Sequence, residues 1–165
     1  MNPQQNWEKT FNERLPLFGH RNWLVVADAA YPLHSAPGIE TLVSTQSQQA
    51  TLEAILKPLR TSQHIRPIIY LDQELEFVEE KDAPGVSAYR DYLKVALKGL
   101  AVNSTPHEDI IAKLDRAAEM FSILIVKSTM TIPYTSVFFE LDCGYWNPES
   151  EARLRATFRS ENHKP

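Results

Sequence analysis

Four short apolar runs constrain the fold of this chain more than any other feature of its 165 residues. They read WLVVADA, IRPIIYLD, SILIVK and SVFFELD, and none alternates strictly between apolar and polar residues. Strands without that alternation are covered on both faces, as in parallel sheets flanked by helices. The chain is therefore predicted to be α/β, a single layered domain with a mostly parallel sheet flanked by helices.

The segments between the runs carry apolar residues at helical spacing. A first helix is predicted to about Leu15, and a second has Ser47 as a candidate N-cap and Pro58 as the point where it ends or kinks. A later helix has Thr105 as its predicted N-cap and Glu108 closing a capping box. The acidic stretch QELEFVEEKDAPG is predicted to be an exposed connection. We assign residues 1–146 to the α/β domain and residues 147–165 to a polar extension with one short helix.

Composition excludes several classes of function. A net charge of −4 argues against nucleic acid as a partner. The single cysteine, Cys143, cannot form an intramolecular disulfide, and no Cys/His pair has the spacing of a zinc site. No run approaches the ~18 apolar residues of a membrane span, and the N-terminus lacks the apolar core of a signal peptide. We therefore expect a cytoplasmic protein that binds neither membranes nor, in the absence of a glycine-rich phosphate loop, nucleotides.

Polar side chains follow three predicted strands, namely the runs WLVVADA and SILIVK and a shorter strand, LAVN, that precedes the helix of His107. Functional groups in α/β sheets gather where strands end, and Asp28, His107 and Tyr134 occupy such positions. Each also has a purely structural interpretation: Asp28 as a turn cap, His107 as a tolerated helix-start residue, and Tyr134 as a packed aromatic. His20 precedes its strand, so within one copy of the chain it is expected at the opposite end of the sheet from Asp28.

Two ordered motifs resemble the signatures of the ribose pyranase/fucose mutarotase family. They are GHRNWLVVADAAYPLHS and RAAEMFSILIVKSTMTIPYTSVFFELDCG, and the resemblance runs from Leu15 to Gly144. YPLHS and SAYRDYLKVAL are closer to the fucose mutarotase branch, whereas the Pro-His-Glu sequence at His107 is similar to the ribose branch. Ser136 stands where the family pattern Tyr-x-Asn has its asparagine.

The resemblance implies an isomerase that interconverts anomers or ring forms of a fucose- or ribose-like sugar without a cofactor or metal. It implies ring-shaped homo-oligomers, typically decamers, with sites at subunit interfaces, so a neighbouring copy could supply His20. Carried over by position, the implied catalytic residues are His20, Asp28 and Tyr134, and the residues expected to bind the sugar are His34, His107, Ser136 and Tyr31.

In this hypothesis His20 transfers protons, while Asp28 orients His20 or binds a sugar hydroxyl. Tyr134 hydrogen-bonds the ring or anomeric oxygen. Two alternatives remain open at this point. One is a non-catalytic sugar-binding or regulatory relative with the same fold, and the other is an isomerase or lyase acting on a different small polar metabolite.

Overall fold

The computed structural model describes residues 3–163 as helices on both faces of a six-stranded sheet. The predicted domain (1–146) and extension (147–165) include residues 1, 2, 164 and 165, which lie outside the described residues. In chain order the elements are α1 (Pro3–Arg14), β1 (Trp23–Ala27), β2 (Ile39–Val43), α2 (Gln48–Thr61), β3 (Ile65–Asp72), α3 (Val86–Ala96), β4 (Ala101–Thr105), α4 (His107–Ala118), β5 (Ile123–Lys127), β6 (Val137–Cys143) and α5 (Pro148–Asn162).

The sheet has the strand order β2-β5-β1-β6-β3-β4. β1 and β2 pair in parallel with β5, and β3 pairs in parallel with β4. β6 lies between β1 and β3 and is antiparallel to both. Five strands therefore run in one direction, which confirms the predicted mostly parallel α/β sheet with β6 as the exception.

Burial on both faces explains why the strands lack alternation. In β1, Leu24 and Val26 contribute to one apolar cluster, and Trp23 and Val25 contribute to a second cluster on the opposite face. Helices α1, α2 and α3 pack into the first cluster, and α4 packs into the second. Each fully buried Val or Leu side chain stabilises the fold by roughly 1.5–3 kcal/mol, so both faces have to be apolar.

Helix α2 confirms the predicted N-cap and excludes one of the two roles predicted for Pro58. The Ser47 side chain accepts a hydrogen bond from the backbone N–H of Ala50 at 3.1 Å, as an N-cap does. Pro58, however, does not end the helix, which continues to Thr61. The carbonyl of Pro58 accepts hydrogen bonds from the hydroxyls of Thr61 and Ser62, which satisfy it near the helix end.

The predicted capping box at the start of α4 is wrong. Thr105 is the last residue of β4, where it pairs with Asp72, and Pro106 takes the cap position without a side-chain hydrogen bond. The carboxylate of Glu74 accepts the backbone N–H of His107 instead, at 3.0 and 3.1 Å. The cap comes from the acidic stretch, which is therefore more than an exposed connection.

Helix α5 occupies most of the predicted extension and is longer than the short helix expected there. None of its described side chains is buried. It follows Trp146, whose indole N–H donates to Glu151 at 2.7 Å. Within residues 3–163, no helix combines the length and hydrophobicity needed to cross a membrane.

Candidate functional site

A cavity of about 390 Å³ opens at the edge of the sheet where β1, β3 and β5 end. Small-molecule sites typically enclose about 300–1,000 Å³, so the cavity can hold a small ligand. Its walls come from the loops after β1 and β5, the end of β3 and the first turn of α4. The lining residues are Asp28, Ala30, Tyr31, Pro32, His34, Asp72, His107, Glu108, Ile111, Pro133, Tyr134 and Ser136.

Asp28 follows β1 directly and begins a turn. One of its carboxylate oxygens accepts the backbone N–H of Ala30 at 3.3 Å, and the other accepts the hydroxyl of Ser136 at 3.0 Å. The Ser136 oxygen also accepts the backbone N–H of Asp28 at 3.2 Å. Asp28 is thus both a turn residue, as its structural interpretation predicted, and part of the cavity wall. Ser136 is buried, and its hydroxyl holds the Asp28 carboxylate in place.

His107 is held by a carboxylate that the sequence analysis missed. Its Nδ1 lies 2.9 Å from Oδ1 of Asp72, the last residue of β3, and the imidazole N–H donates to that oxygen. With Nδ1 so engaged, Nε2 is left as the ring nitrogen without a hydrogen bond to the described chain. A carboxylate in this position fixes the orientation of the imidazole and stabilises its cation.

Asp72 is unusually well shielded for a carboxylate, with an exposed fraction of 2%. Burial raises its pKa above the ordinary value, and the hydrogen bond and charge of His107 oppose that rise only in part. Its second oxygen, Oδ2, has no hydrogen-bond partner within the described residues. The strand IRPIIYLD ends in Asp72 as WLVVAD ends in Asp28, so the same strand-end rule could have identified both.

Tyr134 lies on the loop between β5 and β6, with its ring against that of His107. The ring centroids are 5.8 Å apart, and the planes meet at 79°. The backbone of Tyr134 has φ 60°, a left-handed conformation that non-glycine residues seldom adopt. Pro133 precedes it in the turn, and the Thr135 hydroxyl closes the turn onto the carbonyl of Ile132 at 2.8 Å. The turn thus holds Tyr134 in a backbone conformation that few non-glycine residues adopt.

A buried hydrogen-bond network centred on Gln48 holds this loop against the ends of β1 and β5. The Gln48 amide of α2 donates to the carbonyls of Thr135 at 2.8 Å and Val26 at 3.3 Å. Its carbonyl accepts the Ser128 hydroxyl at 2.6 Å, and the Tyr89 hydroxyl also donates to Thr135. Since buried polar networks specify one arrangement when they are satisfied, Gln48 ties the ends of β1 and β5 to the loop of Tyr134. Sequence periodicity gave no signal for the role of Gln48, because Gln48 looks like any polar residue at the start of a helix.

Tyr31 and His34 form the wall contributed by the loop after β1. Their rings stack with centroids 5.7 Å apart. The hydroxyl of Tyr31 and Nε2 of His34 are both buried and have no hydrogen-bond partner in residues 3–163. Burial is the main cause that raises the pKa of Tyr31, so its hydroxyl stays protonated. Buried polar atoms without partners are costly, and these two border a cavity in which a ligand could satisfy them.

His20 lies elsewhere. Its Nδ1 donates to Oδ1 of Asp142 at 2.9 Å, and Arg66 donates to the other oxygen of the same carboxylate at 2.7 Å. Asp142 pairs with Arg66 near the start of β3, so His20 sits at the edge of the sheet opposite to Asp28. It lines a second cavity, of about 560 Å³, together with Trp146 and residues of α5.

The structure thus brings six of the seven predicted site residues into one cavity and leaves His20 outside it. The six are Asp28, Tyr31, His34, His107, Tyr134 and Ser136. Within residues 3–163, no group of three or more His, Cys, Asp or Glu side chains is arranged to hold a metal ion.

Comparison with solved structures places the chain in a known fold. RbsD from Bacillus subtilis, complexed with D-ribose, is 15% identical and superposes with a TM-score of 0.56 over 81% of this chain and 91% of that one. The fucose mutarotase of Streptococcus pneumoniae, in complex with L-fucose, is 19% identical, with a TM-score of 0.53 over 81% and 91%. FucU from Bifidobacterium longum is 15% identical, with a TM-score of 0.52 over 81% and 94%.

These similarities confirm, at the level of the fold, the resemblance stated from the sequence motifs. They extend over nearly the whole length of each relative. No protein-family model and no curated protein matches the chain.

Proposed function

We propose that this protein is a cofactor-independent mutarotase of the ribose pyranase/fucose mutarotase family, acting on a fucose- or ribose-like monosaccharide. The observation that carries the proposal is the Asp72–His107 pair, which faces Asp28 and Tyr134 across a cavity large enough for one sugar. The shared fold supports it, since two of the similar structures hold D-ribose and L-fucose.

Ring opening needs two proton transfers and no other reagent, and ring closure reverses both. A base removes the proton of the anomeric hydroxyl while an acid delivers a proton to the ring oxygen, which takes the electron pair of the breaking C1–O bond. Rotation about the C1–C2 bond and reclosure then give the other anomer. Each positioned acid or base contributes roughly 10²–10⁴-fold to the rate.

His107 is the proton-transfer group that the cavity itself provides. Asp72 holds Nδ1, so Nε2 exchanges the proton with the sugar, and the buried carboxylate stabilises the imidazolium that forms. Tyr134, whose ring borders His107, donates to the anomeric or ring oxygen. Asp28, oriented by Ser136, accepts a hydrogen bond from a sugar hydroxyl.

His20 enters the mechanism through a neighbouring copy of the chain. The His20 side chain is exposed and lies at the edge of the sheet opposite to the cavity. Only the His20 of another subunit could therefore reach the sugar. The proposal therefore includes a homo-oligomeric ring with interfacial sites, a decamer as is typical of the family, and a cytoplasmic location. In this assembly His20 is the second acid/base group, opposite His107.

Anomer exchange measured by proton NMR magnetisation transfer tests the function. We expect exchange of fucose, ribose, galactose or glucose to be accelerated, and the acceleration to disappear in His107→Ala protein that is folded and assembled as wild type. Folded, assembled wild-type protein that accelerates none of these sugars would contradict the proposal.

A second function, binding without catalysis, is favoured by one observation: His20 lies outside the cavity of its own chain. If no neighbouring subunit supplies His20, the His107–Asp72 pair is the one histidine–carboxylate pair that the cavity offers for the two proton transfers of ring opening. Such a protein would broaden or shift sugar resonances without changing the rate of anomer exchange, so the same NMR experiment separates the two functions.

A further inference from the structure

The cavity has more negative than positive groups in its wall. Asp28, Asp72 and Glu108 line it, and none of the described residues that line it is lysine or arginine. Even with a proton on each of the two histidines of the wall, His34 and His107, three carboxylates would face only two positive charges. An anionic sugar would meet repulsion here, and a cationic one would meet attraction.

Neighbouring residues do not neutralise this charge. The partners of the Asp28 carboxylate are a hydroxyl and a backbone N–H, both neutral. Glu108, in the first turn of α4, is exposed and makes neither a hydrogen bond nor an ion pair with the rest of residues 3–163. No cationic side chain of the described residues therefore neutralises either carboxylate, although solvent screens the exposed Glu108 more than Asp28.

The negative field also reaches the buried part of the wall. Burial is the largest cause of the raised pKa of Tyr31, and the charges of Asp115, Asp72 and Asp28 raise it further. Asp115 thus adds to the same field from α4.

Three buried polar atoms in the wall indicate that a ligand belongs here. Oδ2 of Asp72, the hydroxyl of Tyr31 and Nε2 of His34 lack partners within the described chain, and Asp72 and Tyr31 are exposed by only 2% and 5%. Carboxylate oxygens only accept hydrogen bonds, whereas an ammonium group presents three donors and no acceptor. An ammonium group therefore matches the unpartnered Asp72 oxygen, whereas the Tyr31 hydroxyl, which is itself a donor, can donate to a hydroxyl of the same sugar.

From these observations we propose that the cavity binds amino monosaccharides, as their ammonium forms, in preference to the corresponding neutral sugars. The inference rests on the proposed function and specifies its substrate class. Asp28 and Glu108 attract the ammonium group, and the ring opens and closes by the same two proton transfers. Two uncompensated carboxylates in a partly desolvated site should make binding about tenfold tighter for the cation than for the neutral sugar.

The test compares sugars that differ in one charge. Dissociation constants are measured by protein-observed NMR for glucose, glucosamine, N-acetylglucosamine and glucuronate, and for the matching galactose series, at a pH where the amine is protonated. We expect the amino sugar to bind about tenfold more tightly than the neutral parent and its N-acetyl form, with the difference shrinking as salt is added. The uronate should bind weakest.

Two matched variants locate the effect. Glu108→Gln should reduce the preference for the amino sugar by about threefold or more. Asp109→Asn removes the adjacent exposed carboxylate of the same helix turn, which does not line the cavity, and should leave the preference unchanged.

The outcomes separate the inference from the function on which it rests. Equal affinity for amino, neutral and anionic sugars, together with accelerated exchange, would overturn the inference alone. Equal loss of preference in Glu108→Gln and Asp109→Asn would also overturn it, because the attraction would then come from the surface as a whole. If no sugar binds at all, the proposed function fails, and the inference fails with it.

Discussion

At the scale of the residue, the candidate site depends on one buried carboxylate. Asp72 gains a hydrogen bond from His107 but loses water around both oxygens, and one oxygen has no donor in the described chain. An arrangement that costs stability and holds a histidine at a cavity is what a site for proton transfer requires. The neighbouring Asp28 is held by Ser136 in the same way, so both carboxylates owe their orientation to contacts made by distant parts of the chain.

Replacing Asp72 by asparagine should separate activity from stability. Asn keeps the shape but cannot stabilise an imidazolium, so we expect kcat for anomer exchange to fall on the order of 10²-fold with a smaller change in KM. An unchanged kcat would contradict the positioning role.

The stability of the same variant follows from the raised pKa of Asp72. A carboxyl whose pKa is higher in the folded state than its unfolded value of 3.8 holds more protons when folded, so its contribution to stability falls as pH rises through that interval. At neutral pH the ionised side chain is therefore a net cost. Urea unfolding of Asp72→Asn should give a free energy of unfolding equal to or above that of wild type at neutral pH. A large loss of stability would show that the pair with His107 outweighs the cost of burial.

At the scale of the element, the loops and strand ends around β6 decide where each functional group lies. β6 runs against its neighbours, so its start, near Ser136, reaches the cavity, and its end, at Asp142 and Cys143, reaches the edge where His20 lies. One antiparallel strand thus connects both candidate regions.

Gly144, directly after β6, permits a close backbone approach at this second edge. A Cβ there would lie 2.5 Å from the carbonyl oxygen of Gln63 and 2.8 Å from the backbone nitrogen of Ile65. Gly144→Ala should therefore lower the free energy of unfolding by roughly 1–3 kcal/mol, because backbone rather than a flexible side chain has to move. Gly19→Ala is the control: a Cβ at Gly19 meets nothing within 4 Å, and its effect should stay within about 0.5 kcal/mol. Similar midpoints for both variants in urea unfolding would refute the close approach.

Helix α5 should contribute little to the stability of the domain. It buries none of its described side chains, and Leu154 and Phe158 remain half exposed. A chain that ends after Asn147 should unfold within about 1 kcal/mol of the full chain, since the deletion removes no core. Measurement of the oligomeric mass by light scattering alongside unfolding shows whether α5 acts between subunits. A loss of several kcal/mol with unchanged mass would mean that α5 packs on its own domain.

At the scale of the whole molecule, the proposed mechanism needs more than one copy of the chain. The cavity and His20 lie at opposite edges of one sheet, and the five residues of β1 alone separate them by more than ~13 Å. No side-chain rotation closes that distance, so assembly has to supply the missing group.

Mixed oligomers test this requirement. His20→Ala and His107→Ala subunits should each be inactive alone, but oligomers of both contain some interfaces that join an intact cavity to an intact His20. With random 1:1 assembly about one quarter of the sites are complete, so about a quarter of wild-type anomer exchange should return on coexpression. If oligomers verified to contain both variants recover no anomer exchange, His20 and His107 do not act in one interfacial site.

The sequence by itself determined the layers, the strands and much of the cavity wall. Continuous apolar runs indicate strands covered on both faces, and Asp28, His107 and Tyr134 follow from the rule that functional groups gather where strands end. These features are local, since a period or a position after a strand can be read from a short window. The motifs also carried the resemblance that the shared fold confirms.

Only the tertiary structure decided which of these residues meet. The pairing of β3 with β4 brings Asp72 beside His107. The same pairing makes Thr105 a strand residue, so Glu74 rather than Thr105 caps α4. The antiparallel direction of β6 brings Asp142 to the opposite edge, where its carboxylate binds the His20 that the position before β1 had already predicted there. Each outcome depends on contacts between residues far apart in the chain, whose energies have no trace in local periodicity.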